Sequence, residues 1–345
     1  MKSRSPVLNP PSEGKSARWS PYFTLILVVA LLACYPLLVP VLTQVSFLQG
    51  VNLNFGITTL ILAGLALSWD ILGGWTGQNS LGHAALVAVG AYSVTLLAEH
   101  GVAPWYGTLI GMGIAGLLAW GWGSMTFRLR GSYFTLSSIA VAEILRLVAL
   151  NESWLTGGAE GKFMADLPKL FGTFDLFDRK VEFYVALGFV TLVLLFLHWL
   201  KSAKLGFYFR AVREDEDGAM ALGVNPAKAK STAFILSAVF TAMGGAIYAL
   251  YLQALEPDNL MLVAFSIQIA LLCIIGGRGT LYGGLVGAIL LGVPSEIFRA
   301  QLQEANLLVY GILIVLVILY LPKGVMGTLE HWWYRKNHPL EKGGK

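Results

Sequence analysis

Long apolar runs alternate with short polar or glycine-rich breaks almost from end to end of this chain. About 20 apolar residues in a helix cross a bilayer, so each run predicts a transmembrane helix. The runs place spans near Tyr22–Leu42, Phe55–Leu72, Ser80–Ala98, Trp105–Phe127 and Tyr133–Leu150. Further spans are expected near Phe183–Leu200, Ser231–Leu252, Val263–Ile275, Leu281–Ile297 and Leu307–Leu321. The fold class expected is all-α, a polytopic helical membrane protein with about ten spans. The short eighth and ninth runs meet at Gly276-Gly277-Arg278-Gly279 and read either as two helices or as one broken element.

Residues 1–20, MKSRSPVLNPPSEGKSARWS, have the polar, basic and Pro/Ser-rich composition of a disordered tail. Residues 21–322 form the membrane domain, and residues 323–345 a second tail. Leu31-Leu32-Ala33-Cys34 faintly resembles a lipoprotein cleavage site, but the apolar run continues to Leu42 and suits a first anchor better.

Composition agrees: charged residues make up 13% of the 345, against about 25% in an ordinary soluble domain. The net charge of +4 is no nucleic-acid footprint, because the cations gather at the ends of apolar runs and record topology. With ten crossings and a basic tail inside, the cytoplasmic loops are those with Arg128 and Arg130, with Lys201–Lys230, with Arg278, and the tail with Lys323, Arg335 and Lys336. Both termini are then cytoplasmic. The outer loop Asn151–Glu182 carries Lys162, Lys169, Arg179 and Lys180, balanced by Glu152, Glu160, Asp166, Asp175, Asp178 and Glu182.

The densest charge lies in KSAKLGFYFRAVREDEDGAMALGVNPAKAK, Lys201 to Lys230. It reads as a solvated loop, or as a segment that docks a soluble partner. Asp217–Gly223 predicts a short helix that Gly223 ends, with Asn225-Pro226 turning the chain back to the membrane. Gly107, Gly111, Gly113 and Gly116, and then Gly283, Gly284, Gly287 and Gly292, predict faces where helices pack backbone to backbone. Gly77-Gln78-Asn79-Ser80-Leu81 and Gly277-Arg278-Gly279-Thr280-Leu281 form a faint repeat.

Candidate chemistry is sparse. Gly157–Lys162 lacks the first glycine of a phosphate-binding loop, and Phe163 stands where Ser or Thr belongs. Cys34 and Cys273 sit among apolar residues and read as packing residues. No metal spacing, nucleophile elbow or dinucleotide fingerprint appears, so no cofactor is expected. Polar residues inside spans are costly and mark function by default. Asp70, Asn79, Ser80 and His83 cluster where Gly73, Gly74 and Gly77 break a helix, and Thr135, Ser137, Ser138, Glu143 and Arg146 share one span. Glu143 and Arg146, three apart, read as an intrahelical pair.

GWTGQNSLGHAALVAVGAY (Gly74–Tyr92), LRGSYFTLSSIAVAEILRLV (Leu129–Val148) and LTGGAEG (Leu155–Gly161) occur in that order. The Lys204–Ala249 stretch and IIGGRGTLYGGLVGAILL (Ile274–Leu291) follow them. Together they resemble the membrane subunit of branched-chain amino-acid ABC importers of the bacterial inner membrane. The resemblance implies a second related permease subunit, cytoplasmic ATP-binding subunits and a periplasmic substrate-binding protein as partners, within the lipid bilayer. It makes the charged segment a coupling loop, with Arg210, Arg213, Glu214, Asp215, Ala219, Leu222 and Gly223 as contacts to the ATPase. The sequence departs from that pattern at Gly218, which puts the start of the coupling helix in question. No catalytic residue is implied, and ATP hydrolysis falls to another chain. Along the translocation path the candidates are Asn79, Ser80, His83, Thr135, Ser138 and Glu143. Sister families importing urea or short amides share much of the pattern. An ion-coupled transporter would instead need Asp70 or Glu143 as its titrating group.

Overall fold

A computed structural model describes residues 21–44, 50–127, 133–164 and 178–302, with short pieces between 311 and 329. Among the described residues, seven helices are long and apolar enough to cross a membrane, and His83–Ala98 and Gly283–Ile297 are shorter apolar helices. The expected tenth span, Leu307–Leu321, lies largely outside the described residues, as do both tails, Arg128 and Arg130, and Lys169, Asp166 and Asp175 of the outer loop.

The first expected span is two helices, α1 (Pro21–Ala33) and α2 (Tyr35–Leu42), separated at Cys34. Pro36 explains this break within the span, because it has no N–H to continue the ladder and its ring crowds the carbonyl four residues back. Next come α3 (Leu53–Gly73), α4 (His83–Ala98), α5 (Pro104–Thr126) and α6 (Tyr133–Asn151). The side chain of Asn52 starts α3 by accepting from Phe55 N at 3.0 Å. Proline at the first turn opens α5, where its missing N–H costs nothing.

Between α6 and the long α8 (Arg179–Ser202) lie α7 (Ser153–Thr156) and β1 (Lys162–Phe163). The charged segment folds into α9 (Lys204–Glu214) and α10 (Glu216–Ala221) before α11 (Pro226–Leu252) returns. After β2 (Ala254–Leu255) and α12 (Pro257–Leu260) come α13 (Val263–Gly277) and α14 (Gly283–Leu302). Ile274–Gly277 thus close α13, and residues 278–282 form a short turn between two helices rather than one broken element. A Cβ at Gly287 would stand 1.8 Å from the carbonyl oxygen of Leu272, so α13 and α14 lie backbone against backbone.

Core positions follow from which helices meet. Packed among α8, α11, α13 and α14, α3 is nearly all buried, whereas few residues of α1 and α6 are. A Cβ at Gly90 would stand 1.9 Å from the Ala242 carbonyl oxygen, and one at Gly245 2.1 Å from that of Val87, so α4 and α11 touch directly. Gly107 and Gly111 bring α5 against Val94 and Ser93 of α4 in the same way, while Gly113 of that stripe faces open space. Phe234 of α11 receives Trp122, Phe127 and Phe134 edge-on, with Phe127 and Phe134 stacked at 4.7 Å.

The connections sort into two ends. Ala98, Asn151 and Leu252 close their helices at one end, where β1 pairs antiparallel with β2, Lys162 opposite Leu255. At this end Lys162 pairs with Glu99 at 2.8 Å and Arg179 with Glu182 at 2.7 Å, so two of the cations that defied the charge bias are neutralised. At the other end lie Gly73, α9, α10 and the Arg278 turn, and Thr24 of α1 joins it through Tyr282. Gly324 also packs on Gly277 there.

The α4–α11 contact is testable. Gly245→Val forces a side chain into the Val87 carbonyl, and overpacking of this kind costs about 1–3 kcal/mol. Thermal unfolding of the purified chain in detergent should show a lowered midpoint; an unchanged midpoint would mean the helices do not approach this closely.

Candidate functional site

The charged arm begins with α9, whose Gly206 lets it turn tightly off α8, since a Cβ there would stand 2.0 Å from the Leu200 carbonyl oxygen. α10 starts at Glu216, earlier than the sequence suggests, because the Asp215 side chain accepts from Asp217 N at 3.1 Å. Gly218 leaves room for that cap, its virtual Cβ lying 2.7 Å from Asp215 Oδ2. Gly223, at φ 84°, adopts the left-handed conformation just past the helix end. The side chain of Asn225 then caps α11 through Lys228 N at 3.0 Å.

The residues expected on one docking face divide between two. Arg210 lies over the rings of Phe207 and Trp75 at 4.7 and 5.7 Å. Arg213 Nη1 donates to the Gly74 carbonyl at 2.8 Å. Ala219 is buried. Ala219 and the tips of both arginines thus meet the bundle, although Arg213 as a whole stays exposed, and Lys230 ties the arm down further by an ion pair with Glu216. Glu214, Asp215 and Gly223 are exposed, together with Met220 and Leu222, the last 84% exposed.

Arg213 reaches a junction that the sequence did not reveal. Asp70, buried in the last turn of α3, accepts through Oδ1 from Gly279 N at 2.8 Å and from the Cys273 thiol at 2.9 Å. Arg278 Nε donates to the Gly73 carbonyl at 2.8 Å. The two glycine-rich breaks therefore meet, one between α3 and α4 and the other between α13 and α14. A Cβ at Gly74 would fall 1.8 Å from Asp70 Oδ1 and 2.5 Å from Gly279 N, so the junction closes only around glycine. Burial holds the Arg278 guanidinium below its ordinary range, and the neighbouring Arg213 charge adds to the effect. It remains cationic, as arginine does in proteins. The faint GxxxL repeat was the only sequence sign of this pairing.

Further along the break, four serines and a histidine complete the start of α4. Ser237 Oγ donates to the Ser68 carbonyl at 2.7 Å, so its lone pairs are what it offers His83 Nε2 at 2.8 Å. His83 therefore carries its proton on Nε2, and Nδ1 accepts from Ser80 Oγ at 3.0 Å. Trp69 Nε1 donates to the Ser80 carbonyl at 2.7 Å. Ser266 takes Ala84 N and Ser138 takes Leu81 N, each at 2.8 Å. Thr135 donates to the Asn79 carbonyl at 2.8 Å. Ser80, His83 and Ser138 are thus fully buried structural partners, whereas Asn79 is exposed.

Glu143 and Arg146 do pair on α6: Arg146 Nη2 meets Glu143 Oε1 at 2.6 Å, and Nη1 also binds Asp258 of α12. Their helix keeps most of its surface exposed.

Known proteins share this chain's pattern. Residues 51–318 match the family described as the branched-chain amino acid transport system permease component. The high-affinity branched-chain amino acid transport system permease protein LivM of Escherichia coli K12 is 31% identical over 295 residues, covering 78% of this chain and 68% of the relative. The probable branched-chain amino acid transport permease protein LivH of Methanocaldococcus jannaschii is 26% identical, over 85% of this chain and 95% of its own. LivH of Escherichia coli K12 is 22% identical, over 77% and 91%. A metal-chelate type ABC transporter solved in an inward-facing conformation aligns at a TM-score of 0.39 and 21% identity over 86% of this chain and 94% of that chain, too loosely to argue from.

Ser237→Ala removes the acceptor of His83 Nε2–H and the donor to Ser68 together. Unsatisfied buried groups of this kind cost about 1–3 kcal/mol. The melting transition in detergent should fall accordingly; an unshifted one would place the imidazole's partner elsewhere.

Proposed function

This chain belongs to the branched-chain amino acid transport permease family, and on that premise we propose that it is one of two related membrane subunits of an ATP-driven importer of aliphatic amino acids. Its basic end faces the cytoplasm of a bacterium, and its opposite end receives substrate from a periplasmic binding protein. ATP is hydrolysed by a separate subunit docked on α10.

One observation carries the reading. Leu222 and Met220 project from the arm at 84% and 45% exposure, flanked by Glu214, Asp215 and Asp217, while Arg210, Arg213 and Lys230 bind the same arm to the bundle. Exposed apolar side chains rimmed by charge on a braced helix suit a protein partner. An arm held at its base can pass on a rigid-body movement of that partner.

The second permease subunit covers α6. An ion pair on an exposed membrane face is costly against lipid, and Glu143 keeps 41% of its side chain exposed. The path runs along this helix between the two subunits, past Asn79, Thr135 and Glu143, with Ser80, His83 and Ser138 holding the wall behind it. β1, β2 and α12, at the far end of the same helix, offer the surface for the binding protein. Asp70 supports an ATP-driven reading over an ion-coupled one, since its Oδ1 is committed to two donors of another helix and turn.

Leu222→Asp puts a charge into the proposed docking site. A residue at the centre of an interface costs about 2 kcal/mol or more when removed, roughly 30-fold in affinity. The variant should insert at the normal level yet lose both the co-purifying ATPase and ATP-dependent uptake of leucine into vesicles. Uptake at the wild-type rate would refute the docking surface. In the parent complex, isoleucine and valine should compete with leucine and urea should not; competition by urea would move the chain to the amide importers.

A further inference from the structure

We infer that Arg213 is a positioning residue that hands displacement of the charged arm to the break between α3 and α4. The inference rests on reading the chain as the membrane partner of an ATPase.

Three observations converge. Arg213 sits in the last turn of α9, itself exposed and directly followed by exposed Glu214 and Asp215, so it moves with whatever moves the docking face. Its guanidinium ends on the Gly74 carbonyl, at the C-cap of α3, and lies against Gly279 of the second break, where a Cβ would meet Nη1 at 2.3 Å. Its backbone also runs alongside Gly77, whose virtual Cβ stands 3.8 Å from Arg213 Cα. One side chain thus grips both breaks, and Arg278 on Gly73 and Asp70 on Gly279 N lock them together.

From Gly77 the chain runs directly to Ser80 and His83; His83 bonds Ser237 of α11, which in turn donates to the Ser68 carbonyl of α3. Movement delivered at Gly74–Gly77 therefore enters the helices at the centre of the bundle rather than its margin. A guanidinium suits this task, because it stays charged and spans two acceptors in a planar fork. Without it, the arm remains attached through α8, α11, the Lys230–Glu216 pair and Arg210 over the Trp75 ring, but no hydrogen bond from the arm reaches the Gly74 carbonyl and its movement reaches the break only in part.

The geometry supplies the test. A Cβ at Gly77 would lie 3.9 Å from Arg213 Cβ, within the separation of about 3.5–4.5 Å that a disulfide requires. The Gly77→Cys/Arg213→Cys chain is assembled with its partner subunits in proteoliposomes, supplied with binding protein, leucine and ATP. Under dithiothreitol it should keep its ATPase subunit and hydrolyse ATP, while leucine moved per ATP falls roughly 5- to 150-fold, the span of an ordinary coupling free energy. Copper-phenanthroline oxidation, which replaces the arginine grip by a covalent one, should restore uptake per ATP; the parent complex, in which this chain has only Cys34 and Cys273, serves as the oxidation control.

Three results overturn the inference: full coupling in the reduced state, uptake that stays lost after oxidation, or loss of the ATPase subunit on reduction, which would make Arg213 a docking contact. If Cys at Gly77 blocks insertion, Arg213→Gln alone is read by uptake per ATP, with normal coupling again the refuting result. A parent complex without ATP-dependent uptake would refute the transport reading instead, so the two failures are separable.

Discussion

A helix broken inside an apolar bundle frees backbone N–H and C=O groups that hydrocarbon cannot satisfy, at several kcal/mol for each one left over. The break at residues 74–82 is the point on which this architecture turns. Its carbonyls at Gly73 and Gly74 are taken by Arg278 and Arg213, and the N–H groups of Leu81 and Ala84 by Ser138 and Ser266. Those partners come from α6, α9, α13 and the turn beyond it. Satisfying one break thus ties four distant parts of the chain to one place.

That bonding makes the charged arm part of the membrane domain rather than a loop attached to it. Its inner face holds arginines committed to aromatic rings and a carbonyl, and its outer face holds Met220, Leu222 and carboxylates. An arm that was merely solvated would have no reason to bury Ala219 and Lys230. One short segment is thus divided into a side bonded to the bundle and a side left open.

Glycine decides how close the central helices come. Where α4 meets α11 and α13 meets α14, no side chain intervenes, and packing rests on backbone contact. α6 is the counter-example, for it leans on neighbours through Phe134, Ser138 and Arg146 and leaves the rest of its surface open. A helix with a carboxylate–guanidinium pair on that surface is incomplete as a lipid-facing element, so the subunit itself points to a protein or water neighbour there.

The sequence by itself located most of the spans among the described residues, because apolar length is a property of residues in series. It also located the charged arm, the Glu143–Arg146 pair and the glycine faces, which depend on spacing of a few residues along one helix. The kink at Cys34 was carried by Pro36, although the apolar run masked it. What only the tertiary structure decided was partnership across long separations. Asp70 with Gly279, Arg213 with Gly74 and His83 with Ser237 stand 209, 139 and 154 residues apart. No local pattern encodes such pairs, since each forms only when packing brings a freed backbone group within reach of a side chain from another helix. For the same reason the sequence did not distinguish Arg213 from the charges beside it, since its bond to the Gly74 carbonyl forms only where packing brings the break within reach.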